Sequence, residues 1–322
     1  MLTVSAVIPT YNSARTLSRA IDSVLRQTVP VSVIVVDDGS NDETPALLER
    51  YGSRITVIRQ HNAGAGAARS AGTRAARTDL IAYLDADDAW HPDKLEKQLD
   101  AFRDPEVGLC GAASQWIDAG GAVLRVYNPS ISGYITREML ARNYIVTSSA
   151  IVRRAHIERL STLFKPELFP VEDWEVWVRL STVCKIVVSP EVLVDYHVLP
   201  GSGTRTRTVA DFKRLYGTVI EQFGNEPVLR DIMKTEEKRV RSNLHFFAAY
   251  MYYEEGSYRQ FLAELFHSAR LAPFSHPWAN SLAMLLLPRN VRERARRFVG
   301  RLRRRQEIGS SSSGPISDGA HL

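Results

Sequence analysis

Leu80-Ile81-Ala82-Tyr83-Leu84-Asp85-Ala86-Asp87-Asp88-Ala89-Trp90-His91-Pro92 is an apolar run of strand length that stops at three carboxylates within four positions. A continuous apolar run is the pattern of a strand buried on both faces of a parallel sheet, and in open α/β sheets ligands bind beyond the strands' carboxyl ends. The acids are therefore expected at the rim of a sheet. Oxygen-rich sites of this kind suit Mg²⁺ or Mn²⁺, which combine one or two carboxylates with substrate phosphates and water. The plainer alternative is that Asp87 and Asp88 cap the helix that begins near Pro92. The stretch alone leaves both readings open.

Working outward, the same arrangement recurs upstream. Val4 to Ile8 is an apolar strand stopped by Pro9-Thr10-Tyr11-Asn12, and Asn12 or Ser13 is placed to cap the next helix. Leu17, Ala20, Ile21, Val24 and Leu25 recur at helical spacing. Val31 to Val36 is a second strand ending in Asp37-Asp38-Gly39-Ser40. Ile55 to Ile58 is a third, followed by Asn62-Ala63-Gly64 and a helix over about residues 65–76. Strand and helix alternate four times, which predicts a parallel sheet with helices on its faces. Downstream, a helix begins at His91-Pro92-Asp93, and strands are expected at Val107–Ile117, Ser149–Val152 and Lys185–Val188, with a Trp-rich helix from Asp173. From Thr208 the pattern is helical, and Asn243 to Ala272 resembles one helix-turn-helix tetratricopeptide unit. The Ser-rich end reads as a disordered tail.

Bulk properties bound the function. The 322 residues are 44% hydrophobic and 24% charged, an ordinary globular composition. Nine arginines and one glutamate between Arg289 and Arg305 carry a local charge of +8 against a whole-chain value of +5, leaving the remainder net negative. A basic nucleic-acid groove through the main domain is not implied. Cys110 and Cys184 have no partners at metal-ligand spacing, so a reducing cytoplasmic setting is expected. No leader peptide is apparent, and no apolar run reaches a bilayer span. The apolar stretch Trp278–Leu287 followed by clustered arginines fits peripheral attachment to an anionic membrane surface, as it fits a core helix beside a solvated basic one.

Taken in order, Ile8-Pro9-Thr10-Tyr11-Asn12, Asp37-Asp38-Gly39-Ser40, Asn62-Ala63-Gly64 with Ala68-Arg69, and Leu84-Asp85-Ala86-Asp87-Asp88 resemble glycosyltransferase family 2. The resemblance is strong over about the first hundred residues and weaker through Glu172-Asp173-Trp174 and Pro200-Gly201-Ser202. It implies a GT-A type α/β fold: a Rossmann-like, mostly parallel sheet with flanking helices. The catalytic domain is expected over residues 1–205, divided near 105 into nucleotide-sugar and acceptor halves. A helical appendage over 206–305 and the tail over 306–322 complete the chain.

The resemblance also implies an activity: inverting transfer of a sugar from a nucleotide-diphosphate donor, expected to be a UDP-sugar, to a saccharide or lipid-linked acceptor in cell-surface glycan synthesis. Pro9, Thr10, Tyr11, Asn12, Asp38, Asn62, Gly64, Arg69, Asp85 and Ala86 are implied to line the donor. Tyr11 offers an aromatic surface, Asp38 accepts from the base or ribose, and Arg69 offers a planar fork of donors to base or phosphate. Asp87 and Asp88 are assigned to a divalent Mn²⁺ or Mg²⁺ and Asp85 to the ribose. Asp173 is implied as the general base, with Glu172 and His197 as further candidates. Trp174 and Trp177, three apart on one helix face, read as core. Two other readings compete: a dinucleotide-dependent enzyme, disfavoured because Arg69 stands where a third glycine is needed, and a non-catalytic binding protein of the same fold.

Overall fold

The computed structural model describes residues 2–199 and 207–272. Trp278–Arg305, the 306–322 tail and Pro200-Gly201-Ser202 lie outside the described residues.

The apolar runs form β1 (Val4–Thr10), β2 (Ser32–Asp37), β3 (Thr56–Arg59) and β4 (Leu80–Tyr83), joined in the order β3-β2-β1-β4 by parallel pairing. Their alternate side chains divide between two apolar clusters. Val7, Ile34, Val36, Ile81 and Tyr83 enter one, while Ala6, Ile8, Val33, Val35, Leu80 and Ala82 enter the other. Burial on both faces explains why β1, β2 and β4 carry no polar alternation in the sequence, whereas β3 lies at the sheet edge and is only partly buried. The helix α1 (Leu17–Leu25) seats Leu17, Ala20, Ile21 and Val24 on the second cluster. Each large side chain so buried contributes about 1.5–3 kcal/mol. Neither Asn12 nor Ser13 caps α1. Residues 14–16 form a turn first, with the Ser13 carbonyl accepting from the Thr16 and Leu17 amides.

The short α2 (Thr44–Glu49) lies between β2 and β3; beyond β4 the sheet is mixed, with β7 (Val123–Tyr127) and β8 (Ser132–Gly133) added at its side. The short β9 (Ile151–Arg153) runs antiparallel to β4 and to β6 (Val107–Asp118), and β10 (Lys185–Val198) returns parallel to β6. The short β5 (Ala89–Trp90), directly after the acids, pairs antiparallel with β10. Parallel pairing thus holds across the first four strands, where helical crossovers connect them. β10 is far longer than its apolar core because Val192–Val198 continue alongside β6 past a bulge.

Helix α3 (Ala65–Ala75) covers β1 and β2, with Gly72 where any side chain would collide with Val7. Helix α4 (Lys94–Leu99) follows the acids, α5 (Thr136–Ala141) and α6 (Arg154–Ile157) flank β9 in sequence, and α7 (Glu172–Ser181) carries the tryptophans. Trp174 and Trp177 are fully buried. Helices α8 (Val209–Asn225) and α9 (Pro227–Glu254) add Phe212, Val219, Phe223, Leu229 and Met233 to the same core as Trp174, whose ring stacks on Tyr216 at 4.5 Å. Helix α10 (Tyr258–Leu271) packs along α9 after a turn at Gly256, giving the helix-turn-helix expected there. Met1–Leu271 form one compact unit, so α8 to α10 are continuous with the sheet domain. Among the described residues, no helix is long and apolar enough to cross a membrane.

Candidate active site

Three loops at the carboxyl ends of the parallel strands interlock through short polar side chains. After β1, Asn12 adopts a left-handed backbone (φ 49°). Its amide donates to Ser40 Oγ at 2.9 Å and its side-chain oxygen accepts from the Asn41 amide at 2.9 Å, lacing this loop to the one after β2. Pro9 and Thr10 are buried at the strand end, whereas Tyr11 is 46% exposed and Asn12 is also at the surface. Asp38 is buried, and its carboxylate accepts from Gln60 Nε2 at 2.6 Å and from the amides of Ala63 (3.0 Å) and Gly64 (2.7 Å). Asp38 therefore braces the loop after β3, where Asn62 is exposed. Gly39, with positive φ, fits because a side chain there would meet the Asn62 backbone.

Gly64 opens α3 with φ 91°. The space beside the next glycine is filled by protein. A Cβ on Gly66 would lie 3.2 Å from the backbone of Pro166, so this small-residue segment admits the Lys165–Pro166 chain. Ser70 Oγ reinforces the contact by donating to the Phe164 carbonyl.

Arg69 is 6% exposed and reaches from α3 to the loop after β4 and to the start of α7. Its Nη2 donates to Asp85 Oδ1 at 2.8 Å and its Nη1 to Glu172 Oε1 at 2.6 Å. Burial alone would lower its pKa, but the Asp85 and Glu172 carboxylates outweigh it and hold the guanidinium charged. The resemblance assigns Arg69 to base or phosphate, and the contacts the structure shows are to these two carboxylates. Its two fork nitrogens are engaged inside the protein.

The three acids after β4 differ in setting. Asp85 and Asp87 are half-buried, Ala86 is buried between them, and Asp88 is 1% exposed. Asp88 Oδ2 accepts from the Ser148 hydroxyl and Oδ1 from the His197 amide at 2.9 Å. Ser148 Oγ also accepts from the Asp85 amide. Burial raises the Asp88 pKa well above the carboxylate range, and the charges of Asp87 and Asp85 raise it further. Burial, then Asp85, push Asp87 up to about 6. Arg19 on α1 donates to the Asp87 carbonyl and fixes the loop backbone. Asp88 is thus turned inward, while Asp85 and Asp87 remain at the open edge. Asp88 is not the cap of α4, whose preceding residue is Asp93. His197 lies beside the acids through its backbone. Burial and then Arg19 lower the pKa of its ring, which is neutral near pH 7.

Glu172 and Asp173 occupy the first two positions of α7, inside the helix rather than at its cap. Burial raises Glu172 to about 7 despite Arg69, and its Oε2 is buried without a hydrogen-bond partner. Asp173 Oδ2 accepts from Thr147 Oγ1 at 2.7 Å and Asn143 Nδ2 at 3.2 Å, and Oδ1 accepts from the Trp174 amide at 2.6 Å. Burial raises its pKa too. Adjacent hydroxyls, Thr147 and Ser148, therefore bind Asp173 and Asp88. Sequence reasoning missed Arg19, Asn143, Thr147 and Ser148. Nothing in the spacing of Val146-Thr147-Ser148-Ser149 distinguishes it from a polar turn before a strand.

Among the described residues, no three His, Cys, Asp or Glu side chains converge as a metal cage. The residues fit a divalent cation as an open oxygen-donor edge instead, with Asp87 half-buried at the edge and Asp88 buried behind it. Three carboxylates crowd one loop, and the pKa values of Asp87 and Asp88 are driven up by mutual repulsion as well as burial. A hard cation relieves that repulsion.

Residues 5–160 match the family model for glycosyl transferase family 2. An uncharacterized glycosyltransferase of Nostoc sp. is 32% identical over 188 residues, covering 54% of this chain and 56% of the relative. The succinoglycan biosynthesis protein ExoO of Rhizobium meliloti is 31% identical over 218 residues, covering 63% of this chain and 62% of its own. The chain thus spans a little over half the length of each. S. aureus TarS 1–349, solved with UDP-GlcNAc, superposes with a TM-score of 0.63 at 18% identity over 84% of this chain and 82% of that one. The mannosyltransferase PcManGT of Pyrobaculum calidifontis, solved with GDP-Man and Mn²⁺, gives 0.54 at 20% identity over 88% and 79%. The fold is of the GT-A type.

Proposed function

We propose that this chain is an inverting glycosyltransferase that moves a sugar from a UDP-sugar to a hydroxyl of a saccharide or lipid-linked acceptor in polysaccharide synthesis. The observation that carries the reading is the shared guanidinium of Arg69, which holds the donor-side acid Asp85 and the helix start Glu172-Asp173 around one site. The polysaccharide setting is supported by the likeness to ExoO, and a nucleotide-sugar donor by the likeness to TarS.

In this reading Tyr11 and Asn12 receive the nucleoside at the exposed loop edge, with Asp38 keeping the loop after β3 in place. Asp85 meets the ribose. Asp87 supplies the open metal carboxylate, and Asp88 sets its charge and position from behind. A bound Mn²⁺ or Mg²⁺ would act as a Lewis acid, neutralising charge on the leaving diphosphate. Asp173 takes the proton of the acceptor hydroxyl. The freed oxygen bonds to the anomeric carbon as the carbon–oxygen bond to the diphosphate breaks, and one displacement inverts the centre. Its raised pKa brings the carboxylate closer to working pH while leaving it able to ionise. Peripheral attachment to a membrane through Trp278–Arg305 would bring the site to a lipid-linked acceptor.

Thermal unfolding with a panel of UDP-, GDP- and dTDP-sugars, with and without Mn²⁺, tests the reading. A ligand at a hundred times its Kd stabilises the native state by about 2.7 kcal/mol. A UDP-sugar is expected to raise Tm in Mn²⁺, and Asp173→Asn to keep that shift while losing UDP release. No response to any sugar nucleotide overturns the assignment.

A further inference from the structure

Asp173 is held unusually tightly for an acid at a helix start. It has three donors: Thr147 and Asn143 on Oδ2 and the Trp174 amide on Oδ1. Two of them come from the segment between α5 and β9, which is not contiguous with α7. Thr147 itself is buried, and the next residue, Ser148, is fully buried beneath the Asp85–Asp88 loop. A shift of this turn would move the base and the donor acids together. Helix packing alone does not call for a hydroxyl at 147, since the helix N-cap makes no side-chain hydrogen bond and Asp173 lies within the first turn.

We infer that Thr147 is a positioning residue for Asp173, fixing the rotamer of the base and favouring its ionised form, and that the Thr147-Ser148 turn sets the base in register with the donor acids. The inference rests on the proposed role of Asp173. A hydroxyl that donates to a carboxylate stabilises the charged form. Its loss should therefore shift ionisation to higher pH. The other groups acting on Asp173 are Arg69 from α3, Asp85 from the loop after β4, Glu172 on its own helix and Tyr216 from α8. Arg69 opposes protonation and the two acids favour it, and the variants below leave all four in place.

The test compares Thr147→Val, which keeps the shape and removes the hydroxyl, with Thr147→Ser, which restores it, in the full chain. The probe is the UDP-sugar giving the largest thermal shift in Mn²⁺, with UDP release as turnover and Tm as the folding control. Thr147→Val is expected to lower kcat on the order of tenfold, to leave the donor KM within about twofold, and to move the acidic limb of the pH profile of kcat/KM upward. Thr147→Ser should restore both kcat and the limb. If the Val variant does not fold, Asn143→Ala, which removes the longer bond to the same oxygen, should move the limb in the same direction by less. A wild-type limb in these variants, or a loss confined to donor KM or Tm, overturns the inference. Full turnover in Asp173→Asn overturns the base assignment beneath it, whatever the Thr147 variants do.

Discussion

Arg69 and Glu172 lie 103 positions apart in the chain and 2.6 Å apart in the fold. With the 2.8 Å bond to Asp85, this pair ties α3 and the loop after β4 to the start of α7. Both partners are almost wholly buried, and such a pair matters mainly through what is left when one member goes. Arg69→Met leaves the Glu172 carboxylate buried and uncompensated, and urea unfolding should show a loss of about 3–5 kcal/mol. Arg69→Met with Glu172→Leu should regain most of that stability without regaining UDP release, because Asp85 and the start of α7 are no longer held together. Recovery of turnover in the double variant would reduce the bridge to a stability device.

The bridge also marks where sequence reasoning stops. The strands, their order of appearance and the acids were legible, because a doubly buried strand leaves a local signature in β1, β2 and β4 and strand-end acids leave one after β2 and β4. Arg69 was picked out as functional, yet its partners could not be read. A side chain that spans 103 positions is decided by how β9 and α7 return to the sheet, and β9 shows only three strand residues. The resemblance implies that Gly64 lines the donor, and the sequence alone does not set Gly66 apart from it. The space beside Gly66 is taken by Pro166, a segment of loop with no periodicity of its own.

Gly66→Ala tests that contact directly. Alanine is the better helix residue by up to about 1 kcal/mol, but its Cβ would meet the Pro166 N and Cα at 3.2 Å and the Lys165 carbonyl carbon at 3.3 Å, all backbone atoms. Overpacking against backbone costs about 1–3 kcal/mol. The clash should win narrowly, giving a net loss of about 1 kcal/mol in denaturant unfolding. A more stable Gly66→Ala protein would mean that the Pro166 loop yields without cost.

The proposed metal role of the acids predicts a pH-dependent effect. Asp87, with a folded pKa of about 6, lies above its ordinary value of 3.8, and Asp88 is raised as well. A raised acid makes its full contribution to stability below the unfolded pKa and loses it as pH rises through the folded one. In metal-free buffer these groups should therefore erode stability between about pH 4 and pH 7. Bound Mn²⁺ competes with protons for the same oxygens. The Tm increment from Mn²⁺ should be larger at pH 7.5 than at pH 5, and Asp87→Asn should flatten the difference. Equal increments at both pH values would place any metal elsewhere.

Lys94 supplies a test on the opposite face of the sheet. Its side chain is fully buried, its ammonium has no hydrogen-bond partner, and it lies 4.1 Å from the centroid of the Trp90 ring. Burial lowers its pKa to about 7 from 10.5. A cation over an indole gains about 0.5–2 kcal/mol, which does not offset the removal of a charge from water. The depressed pKa means that the unfolded chain binds more protons than the native one between about pH 7 and pH 10.5, so stability rises with pH across that window. The handicap is fullest at and below the folded pKa. Lys94→Met keeps the length and removes the amine. At pH 7 it should be more stable than the wild type by on the order of 1–3 kcal/mol, and the gap should narrow steadily towards pH 10. A variant that is less stable at pH 7, with a gap that does not change with pH, would show that the amine is satisfied in solution and that Trp90 holds it as a cation.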